Sequence, residues 1–300
     1  MLRVIAFCLS AVCLGSSAIS AQGDGGLVRV QAPRIALTHV RVIDGTGRPA
    51  VEDRTIVIEN GRIVAVGASG SAAPANAETL DLRGHTVMPG LVGMHNHLFY
   101  AVPPGRPDEY VSATRTFPRL YLAAGITTLR TAGTIDLAAD AQVKRRIDAG
   151  EEPGPEIHLT GRYFEHGPEP ADAGRIEREI QSQADAGATT FKAYTSLRRD
   201  ELAALIDGAH RRGLRVTGHL CAVSFREAAE LGIDSVEHGL WTDAGIFPAR
   251  TPGRCPDSHA LGQIMAGIDL RGAMTQQIIA DLVRARVAVV STLAMLESLA

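Results

Sequence analysis

The sequence has 300 residues, of which 45% are hydrophobic, 21% charged and 4% aromatic, which is typical of a globular protein and not of a disordered, collagenous or coiled-coil chain. Its formal net charge is −3 and its 30 basic residues form no long block, which argues against a nucleic-acid or anionic-membrane partner. The four cysteines include no Cys-x-x-Cys pair, so neither a disulfide scaffold nor a thiolate zinc site is indicated, and the ten histidines are the more informative metal ligands.

The N-terminus has the pattern of a cleaved secretory signal over residues 1–21. Residues 4–14 are apolar except for Ser10, and small residues follow. The run is shorter than the ~20 residues of a membrane-spanning helix, and an uncleaved interfacial anchor is the alternative. We therefore expect an exported protein, periplasmic or secreted, with no membrane partner after cleavage. Its two remaining cysteines, Cys221 and Cys255, leave a disulfide open.

Residues 22–86 are predicted to form a small β-sandwich module. Asn60-Gly61 separates two β-branched runs and is a strong hairpin signal. The stretch 45–50 matches a dinucleotide-binding fingerprint, but it contains Pro49 and no helical pattern follows, so we interpret it as a turn. The β-branched runs are 36–43, 55–59 and 62–66.

Residues 87–300 alternate short apolar strands with amphipathic helical stretches, which indicates βα units around a parallel sheet. One such helical stretch is 200–212. The pattern predicts an α/β fold, a (β/α)-barrel of the TIM type with about seven of its eight units, because the stretch is shorter than the ~250 residues typical of that barrel. The predicted strands begin near Val87, Ile126, Glu156, Thr189, Leu214, Ile233 and Val287.

Four histidines and one lysine fall at or near the carboxyl ends of these strands, where such barrels place their active sites. His95 and His97 are two positions apart at the end of the first strand, so their side chains share a face. His219 and His238 end two later strands. Lys192 lies between apolar neighbours within another strand, where burial of an unpaired ammonium is costly. The sequence therefore predicts a metal site at this end of the barrel.

The segments that carry these residues resemble the metal-dependent amidohydrolase superfamily, in its imidazolonepropionase-like and prolidase-like branch. The likeness rests on the order and spacing of four segments: Val87–His97, the lysine strand Thr189–Tyr194, Gly218-His219 and Val236–Gly239. It implies a metal-binding barrel paired with a small β-sandwich that both chain ends build. It thus also implies a returning C-terminal segment that this sequence lacks.

The resemblance implies a role for each residue of the cluster. His95 and His97 would hold a first divalent ion, and His219 and His238 a second. Lys192 would bridge the two ions after its amine captures carbon dioxide as a carbamate. Zinc is the leading candidate, and manganese, iron and cobalt stay open.

Two such ions lower the pKa of a bridging water to ~7 and polarise the scissile carbonyl. The resemblance assigns protonation of the departing nitrogen to an aspartate at the end of the eighth strand, and no aspartate follows the strand predicted at 287–293. We expect the sequence to be a fragment of a longer enzyme, the alternative being a natural short form with an impaired site. The aspartates considered and set aside are Asp243, Asp257, Asp269 and Asp281.

Other candidates carry less weight. Tyr194 shares the face of Lys192 and is either a substrate contact or a structural residue. Arg130 aligns with a position that often reads Arg-Asp in the family, and Thr131 breaks that pattern. His158 and His166 are either substrate contacts or satisfied core or surface histidines, and we favour the second interpretation. We interpret the remaining histidines as structural: His39, His85, His210 and His259.

These observations lead to three hypotheses. The first is an exported binuclear amidohydrolase that hydrolyses the amide C–N bond of a small molecule such as a dipeptide or an N-acyl amino acid. The second keeps the fold but opens a cyclic amide or imidazolone ring with one metal, for which a bridging Lys192 has no use. The third is a non-catalytic metal-holding protein without the strand-8 aspartate. Homo-oligomerisation stays open in all three.

Overall fold

A computed structural model of the protein describes residues 29–69, 73–101, 109–167, 173–246, 250–256, 268–294 and 297. The predicted secretory signal lies outside these ranges, as do Asp257 and His259. Within them, no helix is both long enough and apolar enough to cross a membrane.

The N-terminal part of the chain forms a five-stranded sheet of β1 (Arg34–Val42), β2 (Val51–Glu59), β3 (Arg62–Ala68), β4 (Glu78–Asp81) and β5 (Thr86–Val87). β2 pairs antiparallel with β1 and β3, whereas β4 and β5 pair parallel with β1. The hairpin predicted at Asn60-Gly61 is confirmed. It joins β2 to β3 with φ angles of 47° and 74°, both positive as a type I′ turn requires. The stretch 45–50 leads into a strand, not a helix, which agrees with its interpretation as a turn.

The rest of the chain is built on parallel strands. They are β6 (Leu91–Asn96), β9 (Ile126–Thr131), β10 (Glu156–His158), β11 (Thr160–Phe164), β12 (Thr190–Ala193), β13 (Arg215–Gly218), β14 (Ser235–Glu237) and β15 (Ala288–Val290). They form two sheets, ordered β10-β9-β6 and β11-β12-β13-β14-β15, and every neighbouring pair is parallel. A short hairpin of β7 (Phe99–Ala101) and β8 (Tyr110–Ser112) follows β6.

Helices connect the parallel strands and cover them. They are α1 (Thr116–Ala123), α2 (Leu137–Asp148), α3 (Ala173–Asp185), α4 (Arg199–His210), α5 (Phe225–Glu230) and α6 (Ala273–Ala285). In α4 the face predicted to be apolar is at most 1% exposed, and each large side chain buried in this way stabilises the fold by roughly 1.5–3 kcal/mol. The residues of that face are Leu202, Leu205, Ile206 and Ala209.

Two strand predictions were wrong in detail. The strand expected to begin near Val87 begins at Leu91, and Val87 instead pairs with Val42 of β1, so it belongs to the N-terminal sheet. The single strand expected from Glu156 is divided at Leu159 into β10 and β11, which pair with β9 and β12 respectively. Both differences arise because apolar runs do not reveal which neighbour a strand pairs with.

The outer strands β6 and β15 each have a free edge in the part of the chain that the structure describes. Apolar side chains are exposed on both, Val92 at 60% and Val289 at 48%. The described residues thus form an α/β arrangement of two parallel sheets, and side chains at the carboxyl ends of the strands connect these sheets to each other.

Candidate active site

The four histidines predicted to act together lie next to one another. His95 is in β6, His97 follows it, and His219 and His238 come directly after β13 and β14. The centroids of their rings form a row, with separations of 5.3 Å from His97 to His95, 4.5 Å from His95 to His238 and 4.3 Å from His238 to His219. The structure therefore brings together imidazoles from three strands and from both parallel sheets.

Three of these imidazoles are oriented by a hydrogen bond at Nδ1. His95 Nδ1 lies 2.7 Å from Glu237 Oε2, and His97 Nδ1 lies 3.3 Å from the carbonyl oxygen of Gly133. His238 Nδ1 lies 3.0 Å from Thr292 Oγ1. A partner at one ring nitrogen fixes the ring and leaves the other nitrogen available, which is the usual arrangement around a metal-binding histidine.

Burial keeps three imidazoles of the row uncharged. Burial lowers the pKa of His97 and of His219 to about 4, and it lowers the pKa of His238 to about 3. These rings are therefore neutral at pH 7. Only a neutral imidazole has a lone pair to give to a metal ion, so the protonation state suits ligation.

Lys192 lies in β12, close enough to the row for its charge to act on three of the imidazoles, and it is only 1% exposed. Its Nζ atom makes no hydrogen bond, and the nearest carboxylate oxygen, Glu237 Oε1, is 3.8 Å away. Burial lowers the pKa of this amine to about 8, with the positive charge of Arg130 acting in the same direction. The amine thus has an appreciable neutral fraction near neutral pH, and a neutral amine is nucleophilic.

Glu237 lies at the centre of the site, and the sequence analysis did not assign it a role. It is fully buried, and its Oε1 accepts hydrogen bonds from Arg130 Nη2 at 2.7 Å and from Thr217 Oγ1. Burial raises its pKa, but the hydrogen bond from His95 and the charges of Lys192 and Arg130 outweigh burial, and the net pKa is lowered. Its position at the end of a strand, directly before His238, is the sequence signal that could have revealed it.

Arg130, whose role the sequence left doubtful, is the buried counter-ion of this carboxylate and is 8% exposed. Its Nε and Nη2 atoms also donate to the carbonyl oxygen of Met94 at 3.2 and 2.7 Å. The guanidinium therefore links β9, β6 and β14 immediately behind His95. A bidentate donor of this kind is well suited to fixing the position of both groups.

The side chains of the row are suitable metal ligands by their chemistry, but their distances from one another in this structure do not form a site for one ion. Within the described ranges, no three His, Cys, Asp or Glu side chains are close enough together to hold one ion. The donor set nevertheless fits a divalent transition metal, because it offers neutral imidazoles with an available nitrogen beside the orphaned amine of Lys192. The residues present thus fit such ions by their chemistry.

A cavity of about 660 Å³ opens beside the row. Its polar lining includes His95, His97 and His238, and its apolar lining includes Phe99 and Phe117. This volume is within the range of small-molecule sites, and the combination of apolar walls with a few convergent polar groups is typical of them.

Tyr194, predicted either to contact substrate or to be structural, lies beside the histidine row. Its ring centroid is 5.1 Å from that of His219 and 4.8 Å from that of Tyr163. Burial raises the pKa of its hydroxyl, so the phenol is neutral.

Most of the remaining histidines have partners away from this site, as expected. His39, His166 and His210 are paired with Asp53, Glu201 and Asp234 at 2.8–3.0 Å. The ring of His85 contacts the carbonyl oxygen of Arg83, and His158 is exposed at the end of β10. Cys221, two positions after His219, forms a disulfide with Cys255, which resolves the pairing that the sequence left open.

Comparison with known proteins finds relatives that match part of this sequence. No family model matches it. It is 38% identical over 111 residues to an imidazolonepropionase of Mycolicibacterium smegmatis, which covers 37% of this chain and 26% of that protein. It is 28% identical over 232 residues to an imidazolonepropionase of Nocardia farcinica, covering 64% and 58%. The chain therefore spans between a quarter and three fifths of the length of these relatives.

Two solved structures have a similar fold. A Xaa-Pro dipeptidase with bound methionine superposes with a TM-score of 0.61 at 18% identity, covering 86% of this chain and 79% of the other. A prolidase complexed with N-methylphosphonate-L-proline gives 0.59 at 19% identity, covering 85% and 77%. These similarities support the amidohydrolase superfamily, and within it the branch that contains imidazolonepropionase and prolidase.

Proposed function

We propose that the protein is an exported, metal-dependent amidohydrolase that cleaves the amide C–N bond of a dipeptide or an N-acyl amino acid. The observation that carries this proposal is the row of four imidazoles near the buried amine of Lys192, which makes no hydrogen bond. Burial lowers the pKa of three of these imidazoles, so they are neutral at pH 7. The choice of amide hydrolysis as the reaction is made by analogy, and fold similarity to a Xaa-Pro dipeptidase and a prolidase supports it.

In this proposal two divalent ions, zinc being the leading candidate, occupy the site. His95 and His97 would hold one ion, His219 and His238 would hold the other, and Lys192 would serve as a ligand to both. When bound, such ions supply a water of lowered pKa and polarise a substrate carbonyl. The bridging group requires that the neutral Lys192 amine adds to carbon dioxide with loss of one proton, which gives an anionic carbamate that resembles a carboxylate.

The residues around the ligands have defined tasks in the same proposal. Glu237 holds the ring of His95 through Nδ1 and supplies negative charge behind it, which makes His95 a better donor. Arg130 balances that charge and fixes its position. Thr292 orients His238 from the loop after β15. The buried surroundings exclude bulk water, and this strengthens every electrostatic interaction in the site.

The larger architecture is part of the proposal. We propose that the N-terminal sheet, which ends at Val87, belongs to a β-sandwich module and that the parallel strands from Leu91 onward belong to a (β/α)-barrel. Superposition on amidohydrolase structures over most of their length supports this view. Export is supported by the predicted signal over residues 1–21 and by the Cys221–Cys255 disulfide, because disulfides persist mainly in oxidising compartments.

A second candidate function has its own support. The relatives that match the sequence are named imidazolonepropionase, so a ring-opening hydrolase of a cyclic amide is the alternative. It would use one metal ion, and Lys192 would then have no bridging task. The two candidates therefore differ in both substrate and metal count.

The test compares substrates and lysine variants on the purified, zinc-reconstituted protein. We expect hydrolysis of prolyl dipeptides or N-acyl amino acids and loss of that activity in Lys192→Ala, with partial recovery on addition of a short-chain carboxylate that replaces the carbamate. Lys144→Ala is the matched control, because Lys144 pairs with Asp148 on the surface of α2 and should behave as wild type. Turnover of imidazolonepropionate alone, unaffected by Lys192→Ala, would establish the second candidate instead.

A further inference from the structure

Aromatic side chains extend the histidine row on the side of His219 and His238. The ring centroid of Trp241 is 5.6 Å from that of His238 and 6.3 Å from that of His219. Tyr194 follows on the other side of His219, and Tyr163 stacks on Tyr194 at 4.8 Å. Three aromatic side chains from three different segments, which we call the aromatic wall, thus lie along the imidazoles that we assign to the second ion, with His219 next to both Trp241 and Tyr194.

The backbone holds Trp241 in this wall. His238 and Gly239 both have positive φ angles, 68° and 85°, which turn the chain sharply at the end of β14 into a 3₁₀ turn over Leu240–Thr242. Thr242 Oγ1 donates to the carbonyl oxygen of Glu237 at 3.3 Å.

Asp243, the residue that follows the 3₁₀ turn, holds the turn in place through hydrogen bonds. Asp243 is 3% exposed, and its Oδ1 accepts from the backbone N–H groups of Phe225 and Gly245 at 2.9 and 2.8 Å. The position of the indole is therefore set by buried contacts of its own turn and does not depend on a surface loop.

The polar atom of Trp241 has no partner. Its Nε1 is shielded from solvent and makes no hydrogen bond to any residue in the described part of the chain. A buried indole N–H normally has an acceptor, and an unmet donor costs roughly 1–3 kcal/mol. An oxygen atom of a ligand bound next to His219 and His238 can accept a hydrogen bond from this N–H group.

We propose that Trp241 is a specificity-determining residue that packs against a bulky or aromatic side chain of the substrate and donates its indole N–H to a substrate oxygen. This inference rests on the proposed amide hydrolysis and names its substrate class: amides of aromatic or large apolar amino acids. The wall of Trp241, Tyr194 and Tyr163 offers flat rings and no charged group of its own, which favours such side chains over small or strongly charged ones.

The experiment measures kcat/KM for N-acetyl-phenylalanine and N-acetyl-alanine in wild type, Trp241→Ala and Trp241→Phe. We expect wild type to prefer the phenylalanine compound, and Trp241→Ala to lower that preference by ~10-fold or more. Trp241→Phe keeps a ring without the N–H, so it should retain the preference within about threefold while both substrates lose roughly fivefold, the value of one hydrogen bond. An unchanged preference in a folded Trp241→Ala variant would overturn the inference.

A second measurement needs no variant. Trp241 is the single tryptophan of the sequence, so the intrinsic tryptophan fluorescence of the protein reports on this wall alone. Titration with phenylalanine should change that fluorescence saturably, whereas alanine should not, and equal effects of both or of neither would contradict the inference. If neither acetylated amino acid is hydrolysed while phenylalanine still gives the saturable change, the proposed reaction fails and the wall is retained as a binding surface.

Discussion

His95 Nδ1 lies 2.7 Å from Oε2 of Glu237, although 142 positions separate the two residues in the sequence. The contact connects the first strand of the parallel region to the strand that precedes His238, and both residues are shielded from solvent. A hydrogen bond between an imidazole and a buried carboxylate fixes the ring orientation and raises the donor strength of the opposite nitrogen. It makes Glu237 the positioning residue of the candidate metal site.

The first prediction concerns this carboxylate. Glu237→Gln keeps the shape of the side chain but removes its charge, so His95 loses the group that polarises it. We expect the affinity for zinc to fall by ~10–100-fold, as is usual when a partner of a metal ligand is lost. Competition with a chromogenic chelator measures it.

Glu201→Gln is the matched control for that substitution. Glu201 is also buried and also accepts from a histidine, His166, at 3.0 Å, but it lies at the start of α4 away from the row. Its loss should lower stability and leave zinc affinity unchanged. If Glu237→Gln binds zinc as tightly as wild type, Glu237 does not position His95 for metal binding.

The second prediction concerns pH and stability. Burial raises the pKa of Asp140, in the first turn of α2, from its ordinary value of 3.8 to about 6, and one of its oxygens has no hydrogen-bond partner. The folded state therefore keeps this proton to a higher pH than the unfolded state. Its contribution to stability is present at low pH and is lost as the pH rises from about 4 to about 6.

Asp140→Asn should remove that loss. We expect its free energy of unfolding to exceed that of wild type by up to ~3 kcal/mol at pH 8 and to match it near pH 3.5, as urea unfolding at both pH values would measure. Asp200→Asn, an exposed acid in the first turn of α4, should give no gain at pH 8. A difference between Asp140→Asn and wild type that does not grow with pH would contradict the account.

The third prediction concerns the disulfide. Cys221 and Cys255 are 34 positions apart, and closing a loop of that length stabilises a protein by about 3–4 kcal/mol in the chain-entropy view. We expect neither thiol to react with iodoacetamide in the native protein until a reductant is added, and the Cys221→Ser/Cys255→Ser variant to unfold at lower urea concentration. Alkylation of both cysteines without a reductant would show that the bond is absent from the isolated protein.

Local signals in the sequence were sufficient for part of this structure. The Asn60-Gly61 hairpin and the buried face of α4 depend on residues within one turn of each other, so the prediction needed no knowledge of the fold. The histidine row was predictable because parallel strands place their carboxyl ends together. Lys192 stood out because it is a charge within an apolar strand.

Pairing over long distances could not be deduced in the same way. Arg130 and Glu237 are 107 positions apart, and neither has a local pattern that names the other. Val87 belongs to the N-terminal sheet because it pairs with Val42, and the hydrophobicity of the sequence does not encode this pairing. Trp241 was overlooked because its importance comes from the backbone turn at His238 and Gly239, and positive φ at a histidine has no signature in the sequence.

The central claim is that His95, His97, His219 and His238, with Lys192, bind transition metal ions. Elemental analysis of the purified protein, dialysed against zinc and then against metal-free buffer, tests it most directly. The account predicts about two zinc ions per chain in wild type, and a clear decrease in Lys192→Ala and in His95→Ala/His238→Ala. Zinc content in the double histidine variant equal to that of wild type would contradict it.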